Sequence, residues 1–159
     1  MMTHQVASGT RRLRRGRHSI VGQVYLLTSV THDRHPWFTD FFHGRAVVRA
    51  FRYQHAKGHV DSLAYVVMPD HFHWLVRLTG AVTLAALMAS VKAYSASCIL
   101  GKQTENEMIR RVWQRGYHDH ALRKEEDIRA IARYIVANPV RAGLVRRVGD
   151  YPLWDAVWI

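Results

Sequence analysis

Two histidines separated by one residue, His71 and His73, give this chain its clearest candidate for metal chemistry. They lie in VVMPDHFHWLV (residues 66–76), a run with the alternating pattern of a β-strand. Because side chains alternate between the faces of a strand, both imidazoles point the same way while Phe72 and Trp74 can enter a core. Two imidazoles on a rigid strand are half of a metal site. Two solvated histidines on a polar strand face are the alternative interpretation.

A tyrosine and an asparagine lie together on the clearest predicted helix, which covers residues 125–138. Tyr134 and Asn138 are four residues apart, a spacing that places side chains on one helix face, a turn apart. That face lies at the edge of the isoleucine stripe, so a helix packed on a sheet would present a phenol and an amide oxygen at its rim. The alternative is a boundary tyrosine and an asparagine that ends the helix before Pro139.

Other residues compete for the same roles. His118 and His120 form a second His-x-His pair, in a segment predicted to be a loop and therefore without strand alternation to align the rings. Tyr94 and Tyr117 are alternative nucleophiles, but neither has a ligand-type residue four positions later. Residues 112–120 mix aromatic, basic and glycine residues. That mixture is typical of a loop facing nucleic acid and equally of a loop anchored by two buried aromatic residues.

Length and composition favour one globular domain. The chain has 159 residues, of which 48% are hydrophobic, and no apolar run approaches the roughly 20 residues that cross a bilayer. We therefore expect no membrane association. Its single cysteine, Cys98, excludes an internal disulfide and a cysteine zinc cage, which suits a reducing cytoplasm.

The charge predicts an anionic partner. Lys and Arg number 23 against 12 Asp and Glu, a net charge of +11, and nucleic acid is a better candidate than an anionic membrane surface. Residues 1–18 are interpreted as a flexible basic arm, with a transit peptide as the alternative, and residues 19–159 as the folded domain. The residues predicted to contact nucleic acid are Arg11, Arg12, Arg14, Arg15 and Arg17 in the arm and Arg115, His120 and Arg123 in the domain.

The elements that must position these groups alternate between strands and helices. Hydrophobic periodicity predicts strands over 23–30, 63–68 and 71–78, and helices over 38–56, 84–100 and 125–138. Thr83 is the predicted N-cap of the second helix. Strands interleaved with helices, two of the strands joined by the tight turn at Pro69, indicate an α+β fold with an antiparallel sheet.

Three blocks of the sequence closely resemble the single-tyrosine HUH transposases and, among them, the REP-associated tyrosine transposases. The blocks are MPDHFHWLV (68–76), WQ (113–114) with YHDHALR (117–123), and YIVANPVRAGLV (134–145). They occur in the family's order, within a resemblance from about Arg12 to Asp155. It implies a ferredoxin-like (RRM-like) antiparallel sheet of four strands with the helices packed on one face. The fourth strand is expected near residues 45–48 or beyond residue 145.

The resemblance also implies a role for each candidate residue. His71 and His73 become metal ligands, Asn138 the third ligand, and Tyr134 the nucleophile. The metal is then Mg²⁺ or Mn²⁺, although imidazole ligands alone would favour zinc. The implied function is a metal-dependent endonuclease and strand transferase that forms a covalent 5′-phosphotyrosine with single-stranded or hairpin-forming, REP-like DNA, without an obligatory protein partner.

Two other functions remain open at this point. A catalytically idle nucleic-acid-binding module of the same fold, such as a repressor or an RNA-binding protein, would use the basic surface alone. A metal-dependent hydrolase would use the histidine pair without the tyrosine. The presence of all four residues that the resemblance singles out favours the strand transferase.

Overall fold

The computed structural model describes residues 19–101, 110–123 and 126–158. The strands within these ranges are β1 (Val24–Val30), β2 (Val60–Met68), β3 (His71–Leu78), β4 (His118–Ala121) and β5 (Trp154–Ala156). The α-helices within them are α1 (Phe41–Ala56), α2 (Leu84–Leu100), α3 (Ile128–Val136) and the single turn α4 (Asn138–Arg141). The basic arm and its five arginines lie outside the described residues.

The strands form one antiparallel sheet in the order β4-β1-β3-β2-β5. β2 and β3 form a hairpin through Pro69 and Asp70, and the strand order places β3 at the centre of the sheet. Phe72 and Trp74 are fully buried, as the alternation along this strand predicts. The predicted α+β fold with an antiparallel sheet is confirmed.

Helices cover both faces of this sheet, which corrects the expectation that they pack on one. Phe51 of α1 stacks on Trp74 with ring centroids 4.2 Å apart, and α2 packs in the same cluster. On the opposite face, Ile135 of α3 shares a second cluster with Leu75. The second layer matters for function because it brings α3 onto the strand face that carries His71 and His73. Within the described ranges, no helix combines the length and hydropathy that a bilayer span requires.

Two strands were not located by the periodicity of the sequence. Residues 45–48 belong to α1, and the strand expected beyond residue 145 is β5. The additional strand β4 covers residues 118–121, which were predicted to be a loop. It is a short edge strand whose side chains are mostly exposed, so it has no apolar alternation to reveal it.

Side-chain caps set where the helices begin. Thr83 Oγ1 accepts a hydrogen bond from the backbone N–H of Ala86, as predicted for the start of α2. Asp127 accepts from two backbone N–H groups and starts α3, a little later than the sequence suggests. The helix ends at Val136, and α4 follows with Pro139 in its first turn. Ala137, between the two helices, keeps right-handed helical angles.

Candidate active site

The two histidines of β3 lie side by side on the face of the sheet that α3 covers. Their ring centroids are 5.0 Å apart and the rings are nearly perpendicular, at 78°. Leu75, two residues beyond His73, is buried in the cluster formed with α3. Strand alternation therefore places both imidazoles and this helix on the same side of the sheet.

A hydrogen bond to Nδ1 orients each ring. Nδ1 of His71 lies 2.7 Å from the Asp70 carboxylate, which can only accept, so Nδ1 carries the proton. Nδ1 of His73 lies 2.7 Å from Oγ1 of Thr28 on β1. Nε2 is therefore the nitrogen that each ring can offer to a metal ion, and a ring held through its other nitrogen is the usual arrangement of a metal-binding histidine.

The electrostatics keep His73 neutral. Burial, the adjacent His71 and the positive charge of Arg141 together lower the pKa of His73 to about 4. Burial alone would raise the pKa of Asp70, but hydrogen bonds from His71 and Arg34 outweigh it, and that pKa lies below its usual value. At neutral pH the site thus contains an unprotonated His73 and an ionised Asp70, the states that support metal binding.

Tyr134 and Asn138 sit where α3 passes into α4. Ile135 is buried against the sheet, whereas the side chain of Tyr134 is 64% exposed. Arg141 connects the two residues: its guanidinium carbon lies 3.8 Å from the centre of the Tyr134 ring, and its Nη2 donates to Oδ1 of Asn138 at 2.6 Å. Because Ile135 packs with Leu75, the end of α3 lies on the same face of the sheet as the histidine pair.

The residues present fit a divalent cation. Among the described residues, no three His, Cys, Asp or Glu side chains come together to hold a metal ion, so a third protein ligand beside the histidine pair would be of another type. The amide oxygen of Asn138 is a candidate of another type, and amide oxygens suit the hard ions Mg²⁺ and Mn²⁺. The amide nitrogen Nδ2 of Asn138 is buried and has no hydrogen-bond partner in the described part of the chain.

The second histidine pair lies on the same face, two strands away. His118 of β4 pairs with Thr28 of β1, which in turn pairs with His73. The expectation that a loop holds this pair is therefore wrong, because β4 aligns both rings. However, both side chains are exposed, and Nε2 of His120 is 3.0 Å from the Glu126 carboxylate. The spacing between neighbouring strands places His118 about 10 Å from His73.

The two alternative nucleophiles lie on the other side of the sheet. Tyr94 is exposed on α2, and Tyr117 packs against the cluster on the α1 and α2 side of the sheet. Trp113 is buried in that cluster, which favours an anchoring role for the start of this segment. Of the predicted DNA contacts, Arg115 is exposed, and the backbone N–H of Arg123 donates to Glu126.

Sequence reasoning missed three residues that organise the site. Asp70 directly precedes His71 and was assigned only to the turn. Arg141 is seven residues after Tyr134, a helical spacing that could have placed it on the same face. Thr28 gave no signal, because its contact with His73 depends on the pairing of β1 with β3.

Several known proteins resemble this chain in sequence and fold. The family described as "Transposase IS200 like" matches residues 20–138. A Haemophilus influenzae protein assigned as a REP-associated tyrosine transposase is 28% identical over 143 residues, 82% of this chain and 78% of the relative. The REP-associated tyrosine transposase of Escherichia coli K12 is 31% identical over 91 residues, 56% of this chain and 50% of the relative.

A solved structure extends the comparison to three dimensions. A REP-associated tyrosine transposase bound to a REP hairpin superposes with a TM-score of 0.67 and 25% identity, over 87% of this chain and 79% of that one. The family match alone spans most of the chain, from the first strand to Asn138. The chain therefore belongs to the IS200-like transposase family, and it shares both sequence and fold with the REP-associated tyrosine transposases.

Proposed function

We propose that this protein is a metal-dependent endonuclease and strand transferase for single-stranded DNA, with Tyr134 as the nucleophile. The observation that carries the proposal is that the helix end bearing an exposed phenol and an amide packs on the same sheet face as two oriented imidazoles. An idle binding module would not need the two imidazoles oriented through Nδ1. A simple hydrolase would not need the tyrosine beside them.

The proposed metal site consists of Nε2 of His71, Nε2 of His73 and Oδ1 of Asn138. When bound, Mg²⁺ or Mn²⁺ would act as a Lewis acid on the scissile phosphate. The chain's own contribution is to hold the ligands. Asp70 and Thr28 fix the two rings, and the end of α3 presents the amide.

Tyr134 then acts on the phosphate that the site holds. Its phenolic oxygen attacks phosphorus in line, and a bond from Oη to phosphorus forms as the bond from phosphorus to O3′ breaks. The phenol loses its proton to solvent, and the departing O3′ gains one. The products are a 5′-phosphotyrosine and a free 3′-OH. Because the adduct retains the phosphodiester energy, a different 3′-OH can reverse the step and join two strands.

We propose hairpin-forming DNA as the substrate. The net charge of +11 suits a polyanion, and the structurally similar transposase is bound to a REP hairpin. A strand transferase also needs a single-stranded segment that can reach the phenol, and the exposure of Tyr134 permits this.

Covalent adduct formation tests the proposal directly. The protein is incubated with labelled single-stranded DNA carrying a hairpin, with Mn²⁺ or with EDTA, and resolved under denaturing conditions. A labelled band at the mass of protein plus DNA, present only with Mn²⁺, is the expected result. Cleavage without that band would indicate a hydrolase, and binding without cleavage would indicate an idle module.

Thr28→Val should weaken metal binding although Thr28 is not itself a ligand. The substitution keeps the volume of the side chain and removes the oxygen that orients His73. Removing such a partner lowers metal affinity by about 10–100-fold. Mn²⁺ titration by calorimetry measures the change. Ser29→Ala, at the neighbouring position on the opposite strand face, is the matched control and should retain wild-type affinity.

Deleting residues 1–17 should weaken DNA binding without abolishing the chemistry. The deletion removes five arginines and no candidate ligand or nucleophile. The slope of log affinity against log salt should flatten by up to about 0.7 for each phosphate of a single strand that the arm neutralises. Cleavage at saturating DNA should survive. An unchanged slope would show that phosphates are bound instead by arginines of the folded domain, such as Arg77, Arg115, Arg123 or Arg141.

A further inference from the structure

Arg141 contacts both residues that the proposed chemistry needs from the helical layer. Its guanidinium carbon is 3.8 Å from the centre of the Tyr134 ring, and its Nη2 is 2.6 Å from Oδ1 of Asn138. One side chain therefore touches both the proposed nucleophile and the proposed third ligand.

Helical geometry explains why the three residues meet. Tyr134, Asn138 and Arg141 are spaced by four and then three residues, the spacing of one helix face. The interruption between α3 and α4 does not break this face, because Ala137 keeps helical angles and Pro139 fits the first turn of α4. The same face would not exist if Pro139 had ended the helix completely.

The chemistry of guanidinium suits both contacts at once. A planar cation can lie flat on an aromatic ring while its N–H groups donate in the plane. Such a donor requires an oxygen opposite it, so it determines which end of the Asn138 amide faces Arg141. A carbonyl oxygen has two lone pairs, so the bond from Arg141 leaves one for a metal ion.

We infer that Arg141 is a positioning residue, which holds the ring of Tyr134 and the amide oxygen of Asn138 in the arrangement that metal binding and attack require. The inference rests on the proposed function and adds a residue to it. Arg141 acts here through its two neighbours, so its removal should affect metal affinity and the cleavage step even when DNA is saturating.

Three variants distinguish the positioning role of Arg141 from an effect of its positive charge alone. Arg141→Ala removes the guanidinium, Arg141→Lys keeps the charge without the planar fork, and Arg133→Ala removes an exposed arginine next to Tyr134 on the same helix. Calorimetry with Mn²⁺ alone measures metal affinity, and single-turnover adduct formation at saturating DNA and Mn²⁺ measures the chemical step. Circular dichroism shows whether each variant is folded.

We expect Arg141→Ala to lose about 10–100-fold in Mn²⁺ affinity, as for other residues that orient metal ligands, and to form adduct more slowly at saturation. Added guanidinium ion should restore part of that rate. Arg141→Lys should keep wild-type DNA affinity but not the wild-type rate, since an ammonium cannot lie flat on the ring and reach the amide together. Arg133→Ala should match the wild type in both measurements.

Wild-type Mn²⁺ affinity and rate in Arg141→Ala would overturn the inference. So would a defect confined to DNA affinity, which would make Arg141 a phosphate contact only. If the Ala variant does not fold, the Lys variant decides, and a wild-type rate in it would equally refute the positioning role. If the wild-type protein itself forms no adduct, the proposed function fails, while the Mn²⁺ titrations still test how Arg141 acts on Asn138.

Discussion

Tyr134→Phe should abolish the covalent protein–DNA adduct while leaving folding and DNA binding nearly intact. The substitution removes a single oxygen, the one that would attack phosphorus, so adduct formation should fall by at least about 1,000-fold. The side chain is 64% exposed, and substitutions at such positions usually change stability by no more than about 0.5 kcal/mol. Phenylalanine also keeps the ring on which Arg141 stacks.

Adduct formation, DNA affinity and thermal unfolding of the variant and the wild type are measured together. Tyr94→Phe is the matched control, because Tyr94 is also an exposed helical tyrosine but lies on the opposite layer. The control should form adduct at the wild-type rate. A Tyr134→Phe protein that still forms the adduct would refute the assignment and direct attention to Tyr94 or Tyr117.

The central part of the fold could be predicted because its signals are local. β3 begins and ends as predicted, since polar and apolar residues alternate from His71 to Leu78 except at Leu75, a pattern typical of a strand. α2 begins after Thr83 because its hydroxyl caps the helix, an interaction within one turn. The isoleucine stripe of α3 likewise identified the face that would be buried.

The remaining features depend on contacts between distant parts of the chain. β4 forms because residues 118–121 pair with β1, and nothing in those exposed residues indicates a strand. α3 packs on the second face of the sheet. Both sheet faces are apolar, so the periodicity of the helix does not specify which of them it covers. Packing of α3 on this face brings Tyr134 to the histidine side of the sheet. The sequence therefore identified the candidate residues, but not the tertiary packing that brings them to one face.

His71→Ala and His73→Ala should each lose metal-dependent cleavage, whereas His118→Ala should retain measurable cleavage. All three histidines lie on strands and on the same sheet face, so alternation alone no longer separates the two pairs. The difference lies in their surroundings. His71 and His73 are oriented by Asp70 and Thr28 and adjoin the end of α3, while His118 is exposed on an edge strand.

The decrease in cleavage should exceed about 100-fold for either β3 variant, more than the usual effect of removing a residue that only orients a ligand. Single-turnover cleavage across a range of Mn²⁺ concentrations, with Mn²⁺ affinity from calorimetry, measures it. His118→Ala can weaken DNA binding, since His118 lies on the same sheet face as His71 and His73. Saturating DNA should restore the cleavage rate of this variant. Normal Mn²⁺ affinity in a His71→Ala, His73→Ala double variant would place the metal elsewhere, and the aligned, exposed pair on β4 would then be the site to test.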